Sequence, residues 1–257
     1  MNIFKQLYKS IYSPKDIAYF RFQGIGKTIL YVFLLTFISI LPSIVYLSSA
    51  ISEGLDYAKT FITDETPDFS IKNGTLTADT KVPITINENG FTFILDPTGT
   101  ISADNAAEQD NTFALLKDEF VLTSAGQSDT YQYSMMEGLN INKQNLLEVL
   151  DSISDVKGII IPVVSILIYL FSSAASFIEV SILALIGLAL KNIAGRKLNY
   201  GHLWRMAAYS ETLPTLFFTI MAALKTHVPN SFGINWMVAI IVLLLAIKEI
   251  PKPKKAS

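Results

Sequence analysis

Thirty-three consecutive residues, 158–190, carry a single charge, Glu179. A membrane-spanning helix needs about 20 mostly apolar residues, because each adds about 1.5 Å against a hydrocarbon core of about 30 Å. This run exceeds that length, and three more stretches approach it. Residues 29–50 carry no charge, 206–224 contain Glu211 and Pro214, and 234–247 are short but extend at both ends. With their flanks they predict four transmembrane helices, at 28–50, 156–190, 206–224 and 234–250. Only 16% of the chain is charged, where soluble domains carry about a quarter. The absence of cysteine excludes a disulfide scaffold.

The net charge of −2 conceals a division. Residues 51–155 hold 18 acids and 5 lysines, a balance of −13, and the remainder holds 15 basic residues and 4 acids, a balance of +11. Lysines and arginines flank the cytoplasmic ends of spans. Lys5, Lys9, Lys15, Arg21 and Lys27 precede the first, and Lys191, Arg196, Lys197 and Arg205 lie between the second and third. Lys248, Lys252, Lys254 and Lys255 follow the fourth. These groups place 1–27, the loop 191–205 and the tail 251–257 in the cytoplasm. The acidic segment 51–155 and the turn 225–233 then lie outside, with Lys225 and His227 against the trend. Both termini are cytoplasmic, and the lipid bilayer is the first partner.

The 158–190 run would form a helix of about 50 Å. Two crossings there would put 191–205 outside, and three would need about 60 residues. One long helix remains, tilted or projecting, with Pro162 as a site for a kink. Upstream, Leu146, Leu147, Leu150 and Ile153 have the spacing of an amphipathic helix leading into it. A cleaved signal peptide ending at Ser48-Ser49-Ala50 is the rival reading of the first span. The long preceding stretch and the length of the apolar region favour an uncleaved anchor.

Before that span, Ile3, Phe4, Leu7, Tyr8, Ile11 and Tyr12 recur at helical spacing, with Lys5, Gln6, Lys9 and Ser10 on other faces. Such a basic, aromatic helix either lies in the inner membrane interface or packs beneath the spans. Ser13-Pro14-Lys15-Asp16 reads as a helix start, with Ser13 as cap and Pro14 at the first helical position. Gly26-Lys27-Thr28 is not a phosphate loop, because Arg21 stands where the first glycine is required.

The outer segment alternates instead. Phe69 and Ile71 precede Asn73-Gly74, Val82, Ile84 and Ile86 precede Asn89-Gly90, and Phe91, Phe93 and Leu95 end at Asp96-Pro97-Thr98-Gly99. Leu115, Phe120-Val121-Leu122, Tyr131 and Tyr133 follow. These are short strands joined by turn chemistry, so the expected fold is a polytopic α-helical membrane protein with a strand-rich α+β extracytoplasmic domain between helices 1 and 2. Asp104, Glu108 and Asp110 form a solvated loop rather than a calcium loop, since Ala106 occupies a ligand position. Asn73-Gly74-Thr75 is a formal sequon that its turn role explains.

Charged groups at bilayer depth cost about 2.5–3.5 kcal/mol, so each needs a reason. Glu179 precedes Lys191 by twelve residues, about 18 Å of helix, and shares a stripe with Ser165, Ser172, Ser176 and Gly187. It is either protonated and bonded to a neighbouring helix, the favoured reading, or a proton or substrate site. Glu211 lies three residues before Pro214, whose missing N–H breaks the third span near Ser210. Such a break lines a transport site, or simply kinks a helix whose Glu211 pairs with a cytoplasmic base. The candidate polar site is therefore Glu179, Ser176, Ser172, Glu211 and Ser210, with the helix break at Pro214. His202 and Trp204 fit an interfacial anchor. No metal, cofactor or nucleic-acid motif is present, and neither HExxH, GxSxG nor a nucleophilic cysteine occurs.

Tyr12-Ser13-Pro14-Lys15, Arg21-Phe22-Gln23-Gly24, Asp68-Phe69-Ser70-Ile71-Lys72-Asn73-Gly74, Asp96-Pro97-Thr98-Gly99 and Tyr209-Ser210-Glu211-Thr212-Leu213-Pro214 carry a resemblance. In their order along the chain they resemble uncharacterised membrane proteins of Gram-positive bacteria labelled maltodextrin utilisation (YvdJ-like), distantly similar to Yip-type membrane proteins. The resemblance implies a Gram-positive plasma membrane and a link to sugar uptake, and it supplies no catalytic residue. The function expected is that of a non-enzymatic membrane protein that senses or binds a partner or an extracytoplasmic ligand. It would assemble with itself or with other membrane proteins such as a sugar transporter. The alternative is a small permease or proton-coupled carrier using Glu179 and Glu211.

Overall fold

A computed structural model describes residues 1–88, 90–124, 126–136 and 140–252. Asn89 of the Asn89-Gly90 turn, and Lys254 and Lys255 of the basic tail, lie outside the described residues. The chain forms two compact units, Met1–Tyr46 together with the chain from Pro162 onward, and Leu47–Ile161.

In the first unit, α1 (Ile3–Tyr12) starts at Asn2, whose side chain accepts the Phe4 N–H at 3.2 Å. Helix α2 (Pro14–Phe20) begins as its sequence requires: the Ser13 hydroxyl oxygen accepts the Asp16 N–H at 3.2 Å, and Lys9 pairs with Asp16 at 2.6 Å. Helix α3 (Ile25–Thr60) contains Pro42 and continues into a π-helical segment, Phe61–Glu65. In the second unit, β1 (Phe69–Lys72), β2 (Thr75–Ala78), β3 (Ile84–Glu88) and β4 (Phe91–Leu95) precede a short α4 (Ala103–Ala107). Then come β5 (Thr112–Leu115), β6 (Glu119–Ser124), β7 (Gln127–Gln132) and β8 (Ile141–Asn142). Helix α5 (Lys143–Ile193) runs 51 residues, followed by α6 (Tyr200–Ser210), α7 (Thr212–Ala223) and α8 (Ser231–Lys248).

Three helical segments among the described residues are long and apolar enough to cross a membrane: Ile25–Glu65, Lys143–Ile193 and Ser231–Lys248. The fourth expected one, 206–224, is corrected by the structure. It is divided at Glu211 into α6 and α7, each too short to span alone. Pro214 has no N–H to give the Ser210 carbonyl, so the ladder loses a rung there. The Thr212 hydroxyl instead donates to the Tyr209 carbonyl at 2.7 Å. The 158–190 run, by contrast, lies within one uninterrupted helix that passes through Pro162 and starts as far back as Lys143.

The helical unit exposes large apolar side chains as well as burying them. Val163, Ile166, Leu170, Phe171, Ile178 and Ile182 of α5 are exposed, while the interior holds Ala184, Gly187, Ala207, Ala208, Ala239 and Ala246. Small residues allow helices to approach closely when the solvent offers no hydrophobic drive. A Cβ at Gly187 would stand 3.2 Å from Leu203 and 3.3 Å from Leu243. In helix α1 the polarity is inverted: Gln6 and Ser10 are its buried residues, whereas Phe4, Tyr8 and Tyr12 are 63%, 64% and 59% exposed.

The other unit is built as water-soluble proteins are. Strands β2-β1-β8 form one sheet and β3-β4-β5-β6-β7 a second, antiparallel except for the β4–β5 pair. The Asn73-Gly74 turn takes φ of +52° and +78°, the left-handed pair that a two-residue hairpin needs. One face of the larger sheet sets Phe93, Leu95 and Leu115 against Phe61, Ile62, Leu146, Leu147 and Leu150. The opposite face sets Ile94, Ala114 and Val121 against Ala106 of α4.

Candidate functional site

The break between α6 and α7 positions the first carboxyl. Glu211 is the residue at which the helix is interrupted, and it is only 6% exposed. The second carboxyl, Glu179, comes from the uninterrupted part of α5. Both line one cavity of about 30 Å³, closed by Val32, Leu35, Thr36 and Ser39 of α3, Ser176 of α5 and Thr215 of α7. That volume has room for a water molecule. The Thr36 hydroxyl donates to the Ser176 hydroxyl at 3.0 Å, joining α3 to α5 beside the carboxyls. The Asn235 side chain of α8 faces the Glu211 carboxyl. Among the described residues neither carboxyl forms an ion pair. Arg205, the base nearest in sequence, donates to the Gly201 carbonyl at 2.9 Å, so the expected pairing of Glu211 with a cytoplasmic base is absent among the described residues.

Glu179, Ser39, Ser176 and Thr215 also border a wider, more open recess of about 420 Å³. Phe218, Thr219 and Ala222 of α7 and Ser231, Phe232 and Asn235 of α8 complete it. The structure thus brings Glu179, Ser176 and Glu211 together. Ser172 lies one turn from Ser176 and lines neither space, and the Ser210 hydroxyl donates within its own helix to the Met206 carbonyl at 2.9 Å. Pro214 is buried in the first turn of α7.

A second polar cluster lies at the α1 side of this cavity. Tyr31 and Thr212 share a hydrogen bond between their hydroxyls, and the Tyr209 hydroxyl donates to the Gln6 side-chain carbonyl at 3.2 Å. The Tyr209 ring packs between Phe20 and Tyr31, at centroid distances of 4.6 and 4.2 Å. At the far end the Tyr46 hydroxyl donates to the Ala223 carbonyl, and Lys225 sits 4.9 Å over the Tyr46 ring. Helices α6 and α7 together therefore keep step with α3 from Tyr31 to Tyr46, about 22 Å of helix. Trp204 packs on Phe177 and donates to the Ser181 hydroxyl at 3.2 Å, a contact inside the bundle rather than a free anchor.

Beyond Ser176, the hydroxyl and amide groups of the site carry a signal in the sequence. Thr36 and Ser39, Thr215 and Thr219, and Ser231 and Asn235 are polar pairs three or four residues apart within apolar stretches, so each pair shares one helix face. Gln6 and Ser10 have the same spacing.

The fold and the site define a class: a helical bundle with exposed apolar helices and two carboxyls on one cavity, Glu211 buried and Glu179 half-buried, joined in one chain to a strand-rich α+β unit. No curated protein and no solved structure matches the chain. Residues 4–247 match the model of a family described as "Protein of unknown function (DUF1189)", and the chain belongs to that family.

Proposed function

We propose that the protein is a non-enzymatic, multi-pass plasma-membrane protein whose bundle holds and exchanges a proton at Glu179 and Glu211, as a small proton-coupled carrier does. The carrying observation is that two acids from different helices share one water-sized, hydroxyl-lined cavity. Two charges in such a space at bilayer depth are costly without a cation, so the pair is suited to holding a proton and passing it on. Helices α6 and α7 act in this reading as a broken fourth crossing, supported by their running level with α3 from Tyr31 to Tyr46. The termini and 191–205 face the cytoplasm, and the acidic segment 51–155 faces outward. The resemblance to Gram-positive proteins labelled maltodextrin utilisation, and to Yip-type proteins, supports the plasma membrane and makes maltose a first solute to test.

In proteoliposomes under an imposed potential, a pH-sensitive dye should report proton entry with the native chain. Entry should fall at least tenfold in Glu179→Gln and in Glu211→Gln. Equal entry in native and variant vesicles would remove the carboxyl pair from the mechanism.

The sensing reading is supported by a different feature. The outer unit contains an apolar cleft of about 210 Å³ bordered by Ala58, Phe91, Phe113, Leu122 and Leu150. Recovery of the chain alone from mild detergent, across growth conditions, would count against assembly with other membrane proteins.

A further inference from the structure

The recess beside the carboxyl pair has a chemistry distinct from the small cavity. Its volume of about 420 Å³ lies in a wide-open recess that could seat, but not enclose, a small organic molecule, whereas the 30 Å³ cavity suits a water molecule or a proton. Among the described residues the single ionisable group on its wall is Glu179, and no lysine, arginine or histidine lines it. Two phenyl rings, Phe218 of α7 and Phe232 of α8, also line it, with the neutral side chains of Thr219, Ser231 and Asn235. A carboxylate supplies the counter-charge for a cation, and aromatic faces receive the alkyl groups of an ammonium that water solvates poorly. An anion would meet only an acid there. A polyhydroxylated sugar would leave the acid without a counter-charge.

We propose that this recess binds a small organic ammonium ion, with Glu179 as its counter-ion and Phe218 and Phe232 as its aromatic walls. The inference rests on the reading of Glu179 as a carboxyl that exchanges its proton, and it adds the species taken up when the proton leaves.

The structure supplies its own reporter, since the Trp236 ring lies 6.3 Å from that of Phe232. In a Trp204→Phe background Trp236 is the sole tryptophan of the full chain. Purified in detergent, that protein is titrated in parallel with tetramethylammonium, sodium chloride and maltose. Tetramethylammonium should change the fluorescence saturably, with sodium and maltose giving no saturable change. Glu179→Gln should weaken binding at least tenfold. Phe232→Leu, at an exposed position where folding is not at stake, should weaken it severalfold. No saturable response to the ammonium, undiminished binding in both variants, or a saturable response to maltose or sodium instead would each overturn the proposal. Ammonium binding without proton flux would leave this inference standing and sink the carrier reading. Proton flux without ammonium binding would do the reverse.

Discussion

The Asp96 carboxylate accepts the Thr98 hydroxyl at 2.6 Å and the backbone N–H groups of Thr98, Gly99 and Ile101 at 2.8, 3.2 and 2.6 Å. Burial alone would raise its pKa, but these bonds outweigh burial and hold it below the usual carboxylate value. A carboxylate depressed on folding contributes stability that is complete above the unfolded value, about 3.9, and is lost as pH falls through the folded one. Asp96→Ala should therefore cost the outer unit about 2 kcal/mol at neutral pH. The difference from the native chain should shrink in acid, as the charge-dependent part is lost, which hydrogen exchange at Thr98–Ile101 amides in the full chain can follow. Gly187 argues from space rather than charge. Its missing Cβ is what lets Leu203 and Leu243 approach, so Gly187→Val should lower bundle stability by about 1–3 kcal/mol in a detergent melt. Gly187→Ala should cost less. Asp96-Pro97-Thr98-Gly99 announced its turn in the sequence. Gly187 announced only a small residue on a stripe, because the side chains that crowd it come from α6 and α8.

At the scale of the element, helix α1 is held by its polar side. Gln6 and Ser10 face inward toward Tyr209 and Tyr31, while aromatic rings face out. Gln6→Leu should cost about 1 kcal/mol by removing the Gln6 acceptor of the buried Tyr209 hydroxyl, which keeps Thr28 beside it. Combining it with Tyr209→Phe should recover part of that loss, and a melt of the three variants checks the coupling. The helix itself was legible from its spacing, and so were Ser13-Pro14 and the Asn73-Gly74 hairpin, because caps and tight turns are local chemistry. Which face of α1 is buried was not legible: in a membrane interface, rings no longer mark the inside. The division of 206–224 was visible at Pro214, yet its consequence was not. Whether a proline merely kinks a helix or ends one depends on the neighbours packed around the freed Ser210 carbonyl, which the local sequence does not show.

Across the whole molecule, one chain follows two rules of burial. The strand-rich unit hides phenylalanines, as in water-soluble domains, and Phe61 stacks on Phe93 at 5.3 Å. The bundle buries alanines, hydroxyls and Glu211 beside large apolar side chains and leaves many isoleucines exposed, which suits a lipid solvent. The charge division between 51–155 and the rest was readable from composition alone. The meeting of Glu179 with Glu211 was not, since residues 32 positions apart on different helices are joined only by tertiary packing. The site is a polar pair at bilayer depth only if α6 and α7 carry the chain across the membrane. The absence of native cysteine makes that directly measurable with single-cysteine variants and a membrane-impermeant thiol reagent applied to intact cells. If α6 and α7 cross, Thr226→Cys is labelled from outside, as Ser128→Cys is, while Lys197→Cys is labelled only after permeabilisation. Labelling of Thr226→Cys that, like that of Lys197→Cys, requires permeabilisation would mean that residues 200–223 do not cross, and would contradict the account.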